Sequence, residues 1–208
     1  MPKRLLITAG PTHEPLDPVR YLANRSSGKL GLAFAQAGRD AGWDVTLLLG
    51  PVDASSPPGV QTHRFTTAVE LEALLRDHFP RCDALIMAAA VADFRPVRYD
   101  KTKIPRGSDC MLHLTPTPDL VAACCASKRH DQFVLGFALE ESKHLAKRAT
   151  QKLARKSLNA IVANPIETMG SDTIDATLIT LDGSTSPGPM SKPDFAKWLI
   201  EWVSQTTK

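Results

Sequence analysis

The segment 8–31, TAGPTHEPLDPVRYLANRSSGKLG, restricts the possible folds of this chain more than any other part of the sequence. It follows the short apolar run 5–7 and leads into a helical pattern that starts at Leu30. In α/β proteins, a strand followed by a glycine turn and a helix forms an anion site, because free N–H groups and the positive end of the helix dipole face the ligand. The sequence therefore predicts a phosphate-binding loop after a first strand.

This loop matches neither of the common phosphate-binding motifs. The fingerprint G-x-G-x-x-G is absent, and Gly28-Lys29 lacks the upstream glycine and the following Ser or Thr of a Walker A sequence. The alternative is a solvent loop with a serine N-cap. We favour a ligand-binding loop because Gly, Pro, Ser, Asn and Arg are dense directly after the first strand. The expected substrate or phosphate contacts are Gly10, Arg20, Asn24, Ser26, Ser27, Gly28 and Lys29.

The composition is that of a globular protein with one domain, 1–208. Hydrophobic residues make up 43% and charged residues 23%, and the formal net charge of +3 is too small to indicate a nucleic-acid partner. Four cysteines form no C-x-x-C motif, which favours reduced thiols over a metal site or a disulfide. The sequence has no signal-peptide pattern and no apolar run long enough to span a membrane, so we expect a cytoplasmic protein without a membrane partner.

Short apolar runs alternate with longer helical periods along the chain. Strands are predicted at 4–9, 44–49, 60–65, 83–89, 132–138, 159–163 and 176–181. Helices are predicted at 28–42, 67–79, 118–128, 142–157 and 191–204. Several strands are continuous apolar runs, as expected for parallel strands that helices cover on both faces. The alternation predicts a doubly wound, mostly parallel, Rossmann-like α/β sheet with right-handed crossovers.

Two regions interrupt this alternation. The connection 90–117 is long for a compact domain and carries several basic residues, which indicates a functional loop, here an active-site flap. The segment 164–192 contains two short apolar runs around Asp182-Gly183, which predicts a C-terminal β-hairpin. That hairpin either extends the sheet or meets a partner.

Three further groups of residues are candidates for binding. Small residues and Asp93 follow the fourth predicted strand, where a doubly wound sheet binds ligands, although Asp93 also suits a simple turn. Lys103 lies on the basic loop, which either closes over phosphates or is solvated. On the fourth predicted helix, Lys152 and Lys156 belong to a basic stripe that is either a solvated face or part of a site, with Phe137 on the preceding strand.

Taken together, these segments resemble the phosphopantothenoylcysteine synthetase family of coenzyme A biosynthesis over nearly the whole chain. The similar pieces, after the opening segment, are AAAVADFRP at 88–96, KTKI at 101–104, PDLV at 118–121, GFALE at 136–140 and QKLARKSLNAIVANP at 151–165. The resemblance implies a ligase that converts 4′-phosphopantothenate to an acyl-nucleotidylate with a nucleoside triphosphate and Mg²⁺, releasing pyrophosphate. The amine of cysteine then displaces the nucleotide.

The resemblance also assigns site residues. Asn24 matches the residue that handles the acyl-nucleotidylate, and Lys103 matches the mobile-loop lysine of the activation step. The implied nucleotide-binding positions are Met87, Ala88, Ala89, Asp93, Lys103, Pro118, Asp119, Leu120, Val121, Phe137, Lys152 and Lys156. Mg²⁺ would be held through the nucleotide phosphates, with Asp93 as a candidate protein ligand. The chain departs from the family pattern at His13, at Pro105-Arg106 and at 115–117.

The resemblance further implies partners and cofactors. The segment 151–156 is similar to bacterial members, which favours CTP over ATP as co-substrate. Because the chain begins at the first strand of the synthetase, we expect no FMN, and a separate phosphopantothenoylcysteine decarboxylase as a potential partner. We expect a homodimer, with 164–192 in the contact. A non-catalytic Rossmann-like nucleotide-binding protein is the alternative that Asn24 and Lys103 argue against. An NAD-dependent oxidoreductase lacks support, because the second predicted strand ends without an acidic residue.

Overall fold

The structure, a computed structural model, describes residues 2–107 and 109–207. Met1, Ser108 and Lys208 belong to the predicted domain, and Ser108 also to the predicted flap; these three lie outside the described residues. The helices are α1 (Lys29–Asp40), α2 (Ala68–His78), α3 (Leu120–Ser127), α4 (Leu145–Arg155) and α5 (Lys192–Thr206). None of the helices in these two ranges combines the length and the hydrophobicity that crossing a membrane requires.

The described residues form a large central sheet and three two-stranded ribbons. The strands are β1 (Arg4–Ala9), β2 (His13–Pro15), β3 (Tyr21–Ala23), β4 (Asp44–Leu49), β5 (Gln61–Arg64), β6 (Ala84–Met87), β7 (Phe94–Pro96), β8 (Leu114–Pro116), β9 (Phe133–Glu140), β10 (Ala160–Pro165), β11 (Thr173–Ile174), β12 (Thr177–Ile179), β13 (Ser184–Thr185) and β14 (Met190–Ser191). The order in the central sheet is β13-β12-β10-β9-β6-β1-β4-β5.

Six neighbouring strands of the central sheet, from β5 to β10, are parallel. Counted along the chain, their order is 3-2-1-4-5-6, the dinucleotide-binding order of doubly wound folds. The order reverses between β1 and β6, and at such a switch point ligands bind outside the carboxyl ends of the strands. The prediction of a mostly parallel, Rossmann-like sheet is confirmed.

The strands bury both faces, because helices cover the sheet on either side. Leu5 of β1 packs into a cluster with Phe34 of α1 and Phe195 of α5. The next residue, Leu6, points to the opposite face, where the cluster includes one residue from each remaining helix, Leu71, Leu120 and Leu153. This alternation along continuous apolar strands is what parallel strands between two helical layers require.

The predicted elements are all present, with ends that differ by three residues or fewer. The largest difference is at α4, where Ser142–His144 form a 3-10 turn ahead of the helix. The predicted hairpin around Asp182-Gly183 exists: β12 and β13 pair antiparallel, and β12 pairs with β10. Of the two alternatives for this hairpin, the structure has the one in which it extends the sheet.

None of the three ribbons was predicted. β11 pairs with β14 through two-residue strands. β2 pairs with β3 inside the opening loop, and β7 pairs with β8, so the connection 90–117 is not a continuous loop. These last two ribbons have three-residue strands, three of which contain proline: Pro15 in β2, Pro96 in β7 and Pro116 in β8. Strands this short show no alternation, and proline argues against a strand, so the sequence pattern gives no signal.

Candidate active site

A cleft of about 980 Å³ opens at the carboxyl ends of β1, β6 and β9, at the switch point of the sheet. It contains most of the residues that the sequence selected. Those that line it are Asn24, Ser26, Ser27, Gly28, Lys29, Met87, Ala88, Ala89, Asp93, Pro118, Asp119, Leu120, Val121, Phe137, Lys152 and Lys156. Residues from five separate segments of the sequence therefore meet in one cavity.

The N-terminus of α1 faces this cleft with free backbone donors. Gly28 is the N-cap residue, with a φ of 71°, a left-handed conformation that glycine adopts without strain. Among the described residues no side chain caps the helix, so the serine N-cap of the solvent-loop alternative is absent, and Ser26 Oγ instead accepts from the Gly28 N–H at 3.4 Å. The first-turn residues Lys29 and Gly31 also line the cleft. These donors and the helix dipole favour an anion at this position.

Asn24 joins the opening loop to the segment that follows β6. Its Nδ2 donates to the carbonyl of Val91 at 2.9 Å and lies 3.4 Å from that of Ala90. That segment is in turn hydrogen-bonded to the residues that follow β1. The Ala90 N–H donates to the Gly10 carbonyl at 2.9 Å, and the Ala92 N–H donates to Thr12 Oγ1. The Asn24 amide is therefore held in the cleft by the segment that follows β6.

Two lysines on α4 form the opposite wall. Lys152 Nζ donates to the Phe137 carbonyl of β9 at 2.7 Å, and burial, followed by the positive charge of Lys156, lowers the pKa of Lys152. Lys156 Nζ contacts Asp119 Oδ2 at 2.7 Å, and only 11% of the Lys156 side chain is exposed. Burial raises the pKa of Asp119, but the hydrogen bonds from Lys156 and from the Ala122 N–H outweigh it, so the net shift is downward. Both ammonium groups therefore lie at the cleft with partners from the protein, a backbone carbonyl for Lys152 and a carboxylate for Lys156.

The third wall comes from a region that the sequence did not assign to the site. Asn164, Thr168 and Lys192 line the cleft, although 164–192 was expected only as a hairpin and dimer contact. Across the rim, Lys29 Nζ pairs with Asp172 Oδ1 at 2.6 Å. These residues reach the cleft because β10 lies beside β9 in the sheet. No local motif marks them, so only the strand order could have revealed them.

The cleft has an excess of positive charge. Five basic side chains line it, Arg25, Lys29, Lys152, Lys156 and Lys192, against three carboxylates, Asp93, Asp119 and Glu140. Within the described ranges no three His, Cys, Asp or Glu side chains are grouped as metal ligands. This donor set does not fit a metal ion held by protein alone. It fits Mg²⁺ that arrives with nucleotide phosphates and takes at most one or two protein carboxylates, the usual manner in which proteins bind that ion.

Three of the predicted site residues do not line the cleft. Gly10 lies behind it, packed against Gly50 and Val52. Arg20 Nη2 is 2.6 Å from Asp17 Oδ2 and donates to the Ile104 carbonyl at 2.6 Å, beside a second cavity of about 290 Å³. Lys103 is exposed on the loop between β7 and β8. The structure therefore brings together Asn24 and the residues expected to bind nucleotide, except Lys103, which does not line the cleft.

The fold and the cleft define an α/β protein of Rossmann topology with a cleft of net positive charge at the carboxyl ends of its strands. The chain belongs to the family described as the DNA/pantothenate metabolism flavoprotein C-terminal domain, whose sequence model matches residues 1–207. The resemblance to the synthetase domain of coenzyme A biosynthesis is thereby confirmed.

Among its relatives is the coenzyme A biosynthesis bifunctional protein CoaBC of Escherichia coli, 42% identical over 166 residues, which are 78% of this chain and 41% of the relative. The crystal structure of the C-terminal domain of a CoaBC protein aligns with a TM-score of 0.85 at 32% identity, covering 98% of this chain and 95% of that one. A Cab2 mutant in complex with phosphopantothenate-cysteine shares the fold, with a TM-score of 0.81 at 18% identity over 99% and 89% of the chains. The chain spans about half the length of the curated relatives that it matches, between 41% and 52%.

Proposed function

We propose that this chain is a phosphopantothenate–cysteine ligase that uses CTP. In the first step a carboxylate oxygen of 4′-phosphopantothenate attacks the α-phosphorus of CTP, the bond to the β-phosphate breaks, and pyrophosphate leaves. In the second step the amine of cysteine attacks the acyl carbon of the resulting acyl-cytidylate. The acyl C–O bond breaks, CMP leaves, and the ammonium group loses its proton, which gives 4′-phosphopantothenoylcysteine.

The observation that carries this proposal is the convergence of three features on one cleft: the free donors at the N-terminus of α1, the Asn24 amide, and the Lys152–Lys156 wall. Two substrates of this reaction carry phosphates, and the cleft offers phosphate-binding groups on two opposite sides. A cavity of about 980 Å³ lies in the range of small-molecule sites. The names of the relatives, which refer to coenzyme A biosynthesis and to phosphopantothenate-cysteine, support the same reaction.

In the activation step, Lys152 and Lys156 bind the triphosphate. Each gives up a protein acceptor, the Phe137 carbonyl or Asp119, when phosphate oxygens replace it. Burial lowers the pKa of Lys152, and the negative charge of an arriving phosphate shifts this pKa upward and favours the ammonium form. Mg²⁺, when bound, neutralises charge on the phosphates, with Asp93 as the candidate carboxylate. Lys103 approaches from the loop and stabilises the charge that develops on the departing pyrophosphate.

In the second step, Asn24 binds the acyl-cytidylate. Its bond to the Val91 carbonyl fixes the plane of the amide. A neutral amide donates hydrogen bonds to an oxyanion without repelling the phosphate nearby, whereas a carboxylate at the same position would repel both. This difference makes Asn24→Asp a sensitive test of the assignment.

The proposal is tested by pyrophosphate release from purified protein with phosphopantothenate, CTP and Mg²⁺, without added flavin, and by the formation of product when cysteine is added. Lys103→Gln should reduce CTP-dependent pyrophosphate release by about 100- to 1,000-fold. Asn24→Asp should still release pyrophosphate and accumulate the acyl-cytidylate. Lys101→Gln, on the same loop, is the matched control and should behave as the wild type. Normal turnover in both active-site variants would refute the residue assignments.

A parallel assay with ATP decides the choice of nucleotide. Faster pyrophosphate release with ATP would replace CTP in the proposal and leave the ligase chemistry intact. Nucleotide binding without any pyrophosphate release, with either nucleotide, would instead favour the non-catalytic nucleotide-binding protein.

We propose that the protein is a homodimer, and two of its surfaces are candidates for the dimer contact. The predicted contact segment 164–192 exposes Ile166, Met169 and Leu181. The β2–β3 and β7–β8 ribbons, together with the residues next to them, expose a larger apolar set: Val19, Tyr21, Phe94, Val97, Tyr99, Met111, Leu112 and Leu114. Exposed apolar patches of this kind mark association surfaces. We therefore place the contact on the ribbons. Val97→Asp should shift the molar mass measured by light scattering to that of a monomer, whereas Leu181→Asp should not.

A further inference from the structure

Thr117 lines the cleft directly before the segment 118–121, which is expected to bind the nucleotide. Its backbone N–H donates to the Asp93 carbonyl at 3.0 Å, and its Oγ1 donates to the Ala92 carbonyl at 2.5 Å. Asp93 directly precedes β7 and Thr117 directly follows β8, so the two residues face each other at one end of this ribbon. One threonine therefore joins the segment that follows β6 to the segment that precedes α3.

Two threonine hydroxyls hold Ala92, of which only 5% is exposed. Its N–H donates to Thr12 Oγ1 at 3.0 Å, and its carbonyl accepts from Thr117 Oγ1. The preceding carbonyl accepts from Asn24 Nδ2 at 2.9 Å. Because a buried carbonyl without a partner is costly, loss of the Thr117 hydroxyl should shift this turn until another donor reaches the carbonyl. Thr117 therefore fixes the backbone from which the Asp93 side chain projects.

The two segments that Thr117 joins carry carboxylates that face the lysine wall of the cleft. Asp119 lies two residues after Thr117, and its Oδ2 is 2.7 Å from Lys156 Nζ. Burial lowers the pKa of Lys152, and the negative charges of Asp119 and Asp93 are among those that oppose this shift. Both carboxylates are thus close enough to Lys152 to act on its charge. The hydrogen bonds of Thr117 set the spacing between the two backbone segments that carry them.

We propose that Thr117 is a positioning residue for nucleotide binding: its hydroxyl holds the segments of Asp93 and Asp119 at the separation that the bound nucleotide requires. This proposal rests on the proposed function, in which both segments contact CTP. Thr117 belongs to 115–117, where the chain departs from the family pattern, so the resemblance assigns it no role. If the competent arrangement of a site is populated for only about a tenth of the time, the apparent Kd rises about tenfold.

The binding test compares Thr117→Val with Thr115→Val by calorimetric titration. Thr117→Val replaces the hydroxyl by a methyl group and keeps the backbone N–H, and the Kd for CTP with Mg²⁺ should rise about 5- to 20-fold. The Kd for phosphopantothenate should not change, because no hydrogen bond joins Thr117 to the described N-terminus of α1. Thr115→Val, the matched control, should bind both ligands as the wild type does. Its side chain lies outside the cleft and hydrogen-bonds to none of the described residues.

Two further variants test the hydroxyl group itself. Thr117→Ser keeps the donor and should bind CTP as tightly as the wild type. Thr117→Ala is available in case the second methyl group of valine prevents folding, and it should show the same selective loss as Thr117→Val. The proposal is wrong if Thr117→Ser binds CTP as weakly as Thr117→Val. An equal weakening of CTP and phosphopantothenate binding would also overturn it, because that pattern belongs to a general defect of the cleft.

A second readout needs neither nucleotide nor turnover. Amide hydrogen exchange at Ala92, followed by NMR, should be several-fold faster in Thr117→Val than in Thr115→Val, because the bond from Ala92 to Thr12 loosens with the turn. Exchange at Ile86 in β6 should be equal in both variants. If the wild type binds CTP but releases no pyrophosphate, the proposed function fails while the Kd values still decide the role of Thr117. Equal CTP affinities, or equal exchange at Ala92, in the two variants would refute the proposal whatever the activity.

Discussion

The substitution Gly31→Ala, which adds one methyl group, tests how closely α1 packs against β1. A Cβ at Gly31 would lie 2.3 Å from Ala9 Cβ and 3.1 Å from Ala9 Cα. Nonbonded carbon atoms make favourable contacts at about 3.5–4.0 Å, so in Gly31→Ala the first turn of the helix must move by more than about 1 Å. Ala9 is fully buried in a central strand and cannot yield. The methyl group therefore displaces the helix, and with it the donors that face the cleft.

The magnitude follows from two opposing effects. Alanine stabilises a helix by about 1 kcal/mol relative to glycine. Overpacking a close-packed interior costs about 1–3 kcal/mol, and the rigidity of Ala9 puts this site at the upper end. The free energy of unfolding should therefore decrease by about 1–2 kcal/mol in Gly31→Ala. Binding of pyrophosphate should weaken as well, since the N–H groups of the first turn no longer point at the same place.

Gly38→Ala is the matched control, because Gly38 is buried in the same helix. A Cβ there would lie 2.8 Å from Leu5 Cδ2, the end of a flexible side chain that can rotate away, and 3.2 Å from Val45 Cγ2. Its free energy of unfolding should remain within about 1 kcal/mol of the wild type, and its pyrophosphate affinity should not change. Urea unfolding and calorimetric titration with pyrophosphate measure both quantities. The reasoning is wrong if Gly31→Ala is as stable as Gly38→Ala and binds pyrophosphate equally well.

Other predictions concern thiols, caps and pH. Burial raises the pKa of Cys82 and of Cys124 to about 12. At pH 8 the reaction with a thiol reagent should therefore show a fast phase from the exposed Cys110. This fast phase should be absent in Cys110→Ser. Asp119 caps α3, and Asp119→Ala should lower the free energy of unfolding in urea by about 1 kcal/mol, whereas Asp119→Asn, which keeps a capping oxygen, should cost less. Since the folded-state pKa of Asp17 is lowered, its ionised form stabilises the protein fully above the unfolded-state pKa of about 3.9, and this contribution is lost as the pH falls towards the folded-state pKa. The difference in urea unfolding between the wild type and Asp17→Asn should thus be largest at neutral pH and disappear in acid; a difference independent of pH would contradict this account.

The parallel sheet and most residues that line the cleft could be predicted from the sequence, because the residue patterns that indicate them lie within short segments. A continuous apolar run followed by polar residues predicts both a strand and the point at which the chain leaves the sheet. Asp93 follows β6, Phe137 lies within β9 and Asn24 lies in the segment between β1 and α1, and the reversal of strand order brings them together. Their meeting in one cavity follows from the topology that the alternation of strands and helices implies.

Residues whose place depends on a distant partner could not be predicted in this way. Lys192 lines the cleft only because β10 lies beside β9 and the chain returns over the strand ends through β11 and β14. Arg20 was expected to contact substrate or phosphate, because it lies in the loop between the first strand and the first helix. In the structure its donors are occupied by Asp17 and by the backbone of a loop more than eighty residues away. No pattern within the opening segment indicates that pairing.

The opening segment therefore contributes to the site in two ways. Its second half lines the cleft with Asn24, which donates to the Val91 carbonyl, and with the N-terminus of α1. Its first half, the turn around Pro18, holds the loop that carries Lys103. The proposed function assigns Asn24, which is hydrogen-bonded to the segment after β6, to the second step of the reaction. It assigns Lys103, whose loop is hydrogen-bonded to the turn around Pro18, to the first step.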